Sequence, residues 1–490
     1  MHPTIQMPFS FLPFLPELFL LAGLLIFIIV GSFLNIKSNP IKILKLIVGI
    51  TTFLTLLSLI YSRLQIHSVY IFENSFILDS LAWHSKLFLV VLFGASLSFG
   101  GQHLIKNKVP VFEFYTLLLI SIIGSFVTIS ATHALSMYLG IELISLSFYG
   151  LIALQRNDSH KSEVAMKYFV LGALSSGLLL YGISMIYLQT GSFSFQEILS
   201  WVHEHNSIQD QVQVRPYFIY LGVAFIVIAC SFKLGIFPFH QWMPDVYHGG
   251  NTITIMYLSF IPKLAVGILL LRFLENFVFD VYRPIFLLIT ILSIGSLIFG
   301  NLVAIAQTNI KRLLAYSTVS HMGFIYLTII SGSIDKSTVL FYLYSYLLTT
   351  LFVFMLLLYL DDEIPNITEI DQLRGLSTSH PFIAFCLLTS MLSLAGIPPF
   401  IGFYAKFNVL IFLAQNKLYS LVVFAALISV VGAYYYLALV KKIYFESNSS
   451  QKIPVKTFSG QSIIIGITFI VFTILSLYPE FLYKYSSFVF

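Results

Sequence analysis

Four charged residues interrupt otherwise apolar stretches of this 490-residue chain. One is a carboxylate, Glu142, in SMYLGIELISLSFYGL, and the others are Lys233 in IVIACSFKLGIF, Lys263 in SFIPKLAVGILL and Lys406 in PFIGFYAKF. A charge at the centre of a membrane-spanning helix costs about 2.5–3.5 kcal/mol, so such residues persist mainly where they line an internal path. A lysine balanced between the cost of burial and the attraction of a carboxylate can bind and release a proton. The chemistry that these residues suggest is proton transfer.

Each of these charges has a structural alternative. Glu142 and a lysine would form a buried salt bridge between helices, and a lysine near a helix end would extend its ammonium to the membrane surface. The second alternative applies most to Lys167, near the start of the apolar segment AMKYFVLG. For the other charges we favour proton transfer, because several charged groups in one helix bundle are a costly way to fasten helices together.

Two histidines extend the possible path. His240 follows the apolar segment of Lys233, and His321 lies in AYSTVSHMGF beside serine and threonine hydroxyls. Imidazole titrates near neutral pH and can relay protons, although a buried histidine can equally be a hydrogen-bonded packing residue. The other histidine spacings do not match a metal site, and the two cysteines lie in apolar runs, so the sequence predicts neither a metal centre nor an iron–sulfur cluster.

Prolines predict two broken helices. Pro238 follows Lys233 by five residues in GIFPF, and Pro398 and Pro399 stand in the similar segment GIPPF, displaced by 161 residues (396 − 235). Proline removes a backbone donor and clashes with the preceding turn, so a helix breaks there. By our count the breaks fall in spans seven and twelve, and a repeat of five spans inverts its second copy in the membrane. Discontinuous helices in inverted repeats are typical of transport proteins.

The composition predicts an all-α polytopic membrane protein. Hydrophobic residues make up 58% of the chain, charged residues only 10%, and the mean hydropathy is +0.92. At about 20 residues per span, the chain holds about fourteen helices. We place these spans near residues 12–34, 42–62, 84–104, 112–130, 132–154, 164–189, 217–240, 252–274, 282–306, 313–331, 338–360, 381–412, 418–442 and 461–483.

Loop charges predict the orientation. Lysine and arginine are concentrated in loops after odd-numbered spans, for example at Lys106, Lys108, Lys311 and Arg312. Because short cytoplasmic loops carry the positive excess, both termini should face away from the cytoplasm. The net charge of +5 then reflects membrane topology rather than a nucleic-acid partner. The N-terminal residues lack a basic start before the first apolar run, so we expect no cleaved signal peptide.

Several long motifs around these residues resemble a known family. They are IELISLSFYGLIAL, AMKYFVLGALSSGLLLYG, FKLGIFPFHQWMPDVYHGG, KRLLAYSTVSHMGFIYL and SLAGIPPFIGFYAKF. The chain is similar to the antiporter-like subunits of proton-translocating NADH:quinone oxidoreductase, respiratory complex I, and most similar to the subunit N family, whose mitochondrial counterpart is subunit 2. The resemblance covers roughly residues 110–445, and the remaining apolar sequence decides nothing.

The resemblance implies an architecture of fourteen helices with two inverted five-helix repeats and discontinuous helices 7 and 12. It divides the chain into helices 1–3 (residues 1–110), a first repeat of helices 4–8 (111–275), a second repeat of helices 9–13 (276–445) and a C-terminal helix 14 (446–490).

The resemblance also implies roles for the charged residues. Glu142 and Lys233 would form the charged pair of a first half-channel, Lys263 would be the central relay, and Lys406 would gate a second half-channel. Three further residues match positions on the same polar axis: Lys167, His240 and, less closely, His321.

Function and partners follow as expectations from the resemblance. The chain would translocate protons, binding no cofactor itself, while the parent complex uses NADH, FMN, iron–sulfur clusters and quinone. Its partners would be other membrane-arm subunits, including sister antiporter-like subunits, together with the lipid bilayer and protons but no nucleic acid. We expect a bacterial inner membrane, with the mitochondrial inner membrane as the alternative. The alternative function is a cation/proton antiporter, either of the Mrp type or working alone.

Overall fold

The computed structural model describes residues 12–33, 40–63, 68–155, 158–207, 217–277, 282–330, 335–363, 368–446 and 460–487. These residues form helices and one short hairpin of strands β1 (Val69–Ile71) and β2 (Phe76–Leu78). The helices in chain order are α1 (Leu15–Phe33), α2 (Pro40–Ser62), α3 (Ser80–Leu97), α4 (Gly101–Lys106), α5 (Val111–Ser130), α6 (Ala134–Ala153), α7 (Ser159–Thr190), α8 (Phe195–Ser207), α9 (Tyr217–Leu234), α10 (Trp242–Gly249), α11 (Thr252–Phe277), α12 (Tyr282–Ile305), α13 (Ile310–Leu327), α14 (Lys336–Glu363), α15 (Leu376–Ser379), α16 (Pro381–Ala395), α17 (Ile401–Gln415), α18 (Tyr419–Phe445), α19 (Gly460–Leu477) and α20 (Pro479–Ser487).

The helices account for the fourteen spans that the sequence predicts. Within the described residues, twelve helices are long and apolar enough to cross a membrane. Helix α13 supplies one more span, and the shorter apolar helices α16 and α17 together supply the last. The predicted polytopic all-α fold is therefore confirmed, with the third, seventh, twelfth and fourteenth spans each divided into two helices.

Both helix breaks lie where the sequence predicts them and have the same backbone geometry. Helix α9 ends before Gly235 (φ 79°) and α16 ends before Gly396 (φ 82°), a left-handed conformation that glycine adopts at little cost. The next residue then bonds back across the helix end: Ile236 N–H to the Ser231 carbonyl at 2.8 Å, and Ile397 N–H to the Leu392 carbonyl at 3.0 Å. Each pair is displaced by 161 residues (397 − 236 and 392 − 231), as the repeat requires. Pro238 and the pair Pro398–Pro399 follow directly.

Each repeat begins with a tightly packed pair of helices. A Cβ atom on Gly140 of α6 would lie 2.8 Å from the Thr128 backbone nitrogen of α5, and one on Gly300 of α12 would lie 2.7 Å from the Ser320 nitrogen of α13. Only glycine permits helices to approach so closely. A long helix, a broken helix and a further long helix follow each pair, which is the five-helix order expected of the repeat.

The polar ends of the helices form two separate faces. Loops after odd-numbered spans meet through ion pairs such as Arg312–Asp245 (3.3 Å) and Lys442–Asp371 (2.6 Å). We call this the odd face. Loops after even-numbered spans meet at the opposite face, where Arg272 binds Asp79 at 2.8 Å. The alternation is that of a chain crossing the membrane at every span.

Helices α11 and α14 lie at the centre of the bundle. Residues 252–274 of α11 are all buried, and nearly all of α14 is buried as well. Helices α1 and α19 instead expose large apolar side chains on the outside, as lipid-facing helices do. A charge on α11 is therefore enclosed by protein on every side, which places Lys263 at the core of the molecule.

Candidate functional site

Lys233 is held by hydroxyl groups. It lies in the last turn of α9 with 8% of its surface exposed. Its Nζ donates hydrogen bonds to Ser145 Oγ at 2.8 Å and to Tyr149 Oη at 3.1 Å, both on α6. The Tyr149 ring also lies beneath the ammonium, with the nitrogen 5.6 Å from the ring centre. The partners of this buried cation are therefore neutral.

Glu142 shares a helix face with those two hydroxyls. Ser145 and Tyr149 follow it by three and seven residues on α6, the spacing that places side chains on one face. Within the described residues, Glu142 and Lys233 do not form an ion pair, and the buried Oε1 of Glu142 has no hydrogen-bond partner. A buried carboxylate oxygen without a protein partner is uncommon. The expected charged pair is therefore not in direct contact: Lys233 of α9 binds the hydroxyls that share a face of α6 with Glu142.

Lys263 joins the two repeats at the centre of the bundle. Its Nζ donates to Tyr247 Oη of α10 at 2.9 Å and to Thr318 Oγ1 of α13 at 3.5 Å. Tyr346 of α14 donates to the same threonine oxygen at 2.8 Å. No carboxylate in the described part of the chain pairs with Lys263, so its contacts are neutral hydroxyls and aromatic rings.

His321 extends this hydroxyl network into the second repeat. Its Nδ1 forms a hydrogen bond with Tyr342 Oη at 2.8 Å, and its Nε2 forms one with Tyr436 Oη at 3.3 Å. Its ring centre lies 4.8 Å from that of Tyr346, the tyrosine that shares Thr318 with Lys263. His321 therefore belongs to the same cluster as Lys263, and its role on a polar axis stays a prediction.

Lys406 binds the end of a helix. Its Nζ donates to the carbonyl oxygens of Leu394 at 3.0 Å and Ala395 at 2.8 Å, the last two residues of α16. Carbonyls at a helix C-terminus lack intrahelical partners and carry partial negative charge, so they favour a cation. A cavity of about 10 Å³, roughly the room of one water molecule, lies between His321 and α17. This cavity lies between the second helix break and the tyrosines that surround His321.

Among the described residues, Lys167 and His240 share no hydrogen-bond partner with Lys233, Lys263 or Lys406. Lys167 is half exposed at the odd face, where it binds Glu163 at 2.8 Å and Asp245 at 3.7 Å. This position matches the surface alternative that its sequence context allows. His240 is buried beside the first break, 5.7 Å from the Phe237 ring and 6.1 Å from Tyr316, and its Nδ1 has no hydrogen-bond partner among the described residues. A relay role for either residue stays a prediction.

The sequence reasoning missed a buried ion pair between α1 and α3. Glu17 and Lys86 bind each other and are almost completely buried. The residue before this lysine, Ser85, forms a hydrogen bond with Tyr344 of α14 at 3.1 Å. A signal was present, since each charge stands alone in an apolar run, LPELFLLAG and WHSKLFLVV. Both runs lie in the first hundred residues, where the family motifs are absent.

The sequence reasoning also missed a polar cluster at the odd face, next to the N-terminal end of α11. His103 Nδ1 lies 3.4 Å from Asp361 Oδ2 at the end of α14, and Asn107 binds the other histidine nitrogen at 2.8 Å. Thr252, the first residue of α11, donates to the same aspartate at 3.3 Å. In the sequence these residues look like ordinary polar loop residues, because nothing in their spacing indicates that three separate helices, α4, α11 and α14, bring them together.

Comparison with known proteins gives consistent matches over the whole fold. Residues 131–432 match the family described as NADH:quinone oxidoreductase/Mrp antiporter, TM. The chain is 35% identical to NADH-quinone oxidoreductase subunit N of Ruthia magnifica over 471 residues, 96% of each chain. It is 42% identical to the protein of that name from Neisseria gonorrhoeae over 377 residues, 77% of each chain.

Chains of related membrane complexes with solved structures also resemble this chain over nearly its whole length. A chain of respiratory complex I from Thermus thermophilus superimposes with a TM-score of 0.78 and 26% identity, covering 96% of this chain and 98% of that one. A chain of the Mrp complex from Dietzia superimposes with a TM-score of 0.78, covering 98% of this chain and 96% of that one. At 17% identity, the second match indicates a shared fold only.

Proposed function

This chain belongs to the NADH:quinone oxidoreductase/Mrp antiporter membrane family, and from that premise we propose that it translocates protons as part of the membrane arm of an NADH:quinone oxidoreductase. It is a multi-pass protein of the bacterial inner membrane, and its relatives carry the name of subunit N of that enzyme. The specific proposal concerns the path, which runs through Lys233, Lys263 and Lys406.

The observation that carries this proposal is that Lys233 and Lys263 have neutral hydroxyls as their hydrogen-bond partners. A lysine that fastens helices needs a carboxylate to offset the cost of burying its charge. Each of these two lysines instead meets hydroxyls in the described structure. A hydroxyl can accept a hydrogen bond from an ammonium and donate one to a neutral amine, so it serves both protonation states. Such a site can lose a proton without leaving a polar group unpaired.

Glu142 is suited to bias the first of these sites. It lies on the same face of α6 as the hydroxyls that bind Lys233. When the carboxylate is ionised and close, it favours the protonated lysine; when the helices shift and the distance grows, the lysine releases its proton. Lys406 differs because its partners are backbone carbonyls, which only accept hydrogen bonds. A neutral amine can still donate to both of them, but it loses the charge that the C-terminal end of α16 favours.

Lys263 then connects two half-channels, which we assign to residues 111–275 and 276–445. Its partner Tyr247 belongs to the first segment and its partner Thr318 to the second. The parent complex would carry NADH oxidation, FMN, iron–sulfur clusters and quinone reduction in other subunits. Other membrane-arm subunits, including sister antiporter-like ones, would then transmit the energy of that reaction to this chain.

A cation/proton antiporter is the alternative within the same family, whose description includes Mrp antiporters. The names of the relatives favour the redox complex. Affinity purification of the tagged chain from mildly solubilised membranes separates the two. Recovery of NADH-oxidising activity with the chain supports the redox complex, and its complete absence under conditions that preserve NADH:quinone turnover in the membranes contradicts it.

The proton path itself is tested by replacing Lys263 with methionine. In membrane vesicles, NADH-driven proton uptake and NADH:quinone turnover should both fall by at least tenfold, while blotting shows normal subunit content. Lys484→Met is the matched control, because Lys484 lies on the outside with 69% of its side chain exposed. Normal proton uptake in the Lys263 variant would show that Lys263 is not needed to relay protons between the half-channels.

A further inference from the structure

An open groove runs between α2 and α3 on the outside of the bundle, on helices other than those that carry Lys233, Lys263 and Lys406. Its volume is about 860 Å³, within the range of small-molecule binding sites. Apolar side chains such as Leu46, Phe53 and Val91 line most of its length, and Lys42 and Lys45 stand at one end. None of the described residues that line it is acidic.

The groove exists because the two helices converge at one end only. Near the even face, Trp83 Nε1 donates to the Leu59 carbonyl at 2.6 Å, and Arg63 lies 5.0 Å from the centre of the Trp83 ring. Toward the odd face the helices separate at two glycines, Gly49 and Gly94. A Cβ atom added to either glycine would meet no atom within 4 Å. The space between the two helices is therefore empty at these positions.

The dimensions of the groove match one leaflet of a bilayer. From Lys45 to Leu56 the groove follows twelve residues of α2, a rise of about 16 Å. Half of a hydrocarbon core of about 30 Å is the same length. Lys42 is exposed at the mouth, and Lys45 extends across it, with its Nζ 3.5 Å from the Ser98 carbonyl at the end of α3.

We propose that this groove is a binding site for one anionic phospholipid of the leaflet at the odd face. Lys42 and Lys45 would bind its phosphate, and its acyl chains would lie against Gly49 and Gly94. Basic pockets between transmembrane helices recognise anionic headgroups in this way, and each lysine near the membrane surface strengthens the attraction by about fivefold. A lipid without net charge would fit the apolar part of the groove but would gain less from Lys42 and Lys45.

The test compares an anionic with a neutral lipid. The full-length chain is reconstituted into phosphatidylcholine vesicles, and binding of spin-labelled phosphatidylglycerol or phosphatidylcholine is measured by electron paramagnetic resonance. The wild type should prefer phosphatidylglycerol, and the double variant Lys42→Gln/Lys45→Gln should weaken that preference by about 25-fold. Lys441→Gln, an exposed lysine at the end of α18, is the matched charge control and should leave it unchanged. Equal binding of both lipids by the wild type overturns the proposal.

A second variant tests the acyl-chain position. Gly94→Leu places a side chain in open space and should displace bound phosphatidylglycerol without loss of folded protein. Gly466→Leu on α19, where a Cβ also meets nothing, is the control. In membranes containing the intact complex, a photoactivatable phosphatidylglycerol should label α2 and α3. Labelling that skips both helices in the complex, while the isolated chain still binds the lipid, would mean that a partner helix occupies the groove, and the proposal would be wrong.

Discussion

Lys406 donates a hydrogen bond to the carbonyl oxygen of Leu394 at 3.0 Å, and Leu394 is the residue that takes the place of Lys233 in the repeat (394 − 233 = 161). The two lysines therefore come from opposite sides of their helix breaks. Lys233 lies in the last turn of α9, and Lys406 reaches back from α17 to the last turn of α16. In both repeats an ammonium stands at the C-terminal end of the first half-helix, where the helix dipole favours a cation.

The first prediction tests whether Lys406 does more than cap α16. Lys406→Met should lower stability by about 1 kcal/mol, because two carbonyls lose a charged donor, and should abolish NADH-driven proton uptake. Lys406→Arg can still donate to both carbonyls but holds its proton at physiological pH, so it should recover stability and not proton uptake. The measurements are denaturant-induced unfolding of the purified chain and proton uptake in vesicles. Proton uptake restored by arginine would reduce Lys406 to a cap.

The fold could be predicted from the sequence because its determinants are local. Apolar runs of about 20 residues define spans wherever they occur, and the Gly and Pro residues of GIFPF and GIPPF break helices by their own backbone chemistry. The five-span displacement of the breaks then implied the inverted repeat. The faces of the bundle followed from loop charge, and the ion pairs Arg312–Asp245 and Lys442–Asp371 group the odd loops as expected.

The partners of the buried charges could not be predicted, because they depend on how helices pack. Lys233 binds hydroxyls 84 and 88 residues away, and nothing in the sequence ranks Ser145 and Tyr149 above other hydroxyls. Lys406 binds backbone carbonyls, which every residue has. The position of Lys167 outside the buried group depends on the length of α7, which begins at Ser159, two turns before the lysine.

The second prediction concerns Lys233. If this lysine only fastened helices, Lys233→Met would be neutral or stabilising, because the cost of burying a charge disappears. We expect instead that the variant inserts and assembles normally while proton uptake and NADH:quinone turnover both fall, since the two are coupled. Lys233→Arg should not recover either activity, because guanidinium does not release its proton. Full activity in either variant would falsify the proton-carrier assignment.

The third prediction separates Glu142 from the hydroxyls on its helix face. Glu142→Gln keeps the shape of the side chain and removes its charge, so the complex should assemble with reduced proton uptake. Glu113→Gln is the control, because Glu113 is an exposed carboxylate on the neighbouring helix α5. Both variants are measured in vesicles with subunit content verified by blotting. Equal proton uptake in the two variants would return Glu142 to a structural role.

The fourth prediction concerns orientation. The odd face carries the excess of lysine and arginine, so it should lie in the cytoplasm, and both termini should lie on the other side. A reporter fused after Phe490 should be active in the periplasm, and one fused after Glu446, which binds Arg374 at 3.2 Å on the odd face, should be active in the cytoplasm. The reverse pattern would invert the assignment of both half-channels and move the lipid groove to the periplasmic leaflet.

The last prediction asks whether the Glu17–Lys86 pair fastens helices or moves protons. Removing one partner leaves the other charge buried, so Glu17→Leu and Lys86→Met should each destabilise the chain by about 3–5 kcal/mol. The double variant has no buried charge and should recover most of that loss, giving a coupling energy above about 2 kcal/mol. The measurement is denaturant-induced unfolding in micelles, with the exposed pair Glu480–Lys484 as a control that should show coupling of about 0–1 kcal/mol.

Proton uptake by the same double variant then decides the role of the pair. An apolar replacement that folds and pumps normally would make Glu17 and Lys86 a structural pin between α1 and α3. A double variant that folds but does not pump would add the pair to the proton path. We expect normal pumping, because Glu17 and Lys86 bind each other directly, whereas Lys233 and Lys263 have neutral partners in the described structure.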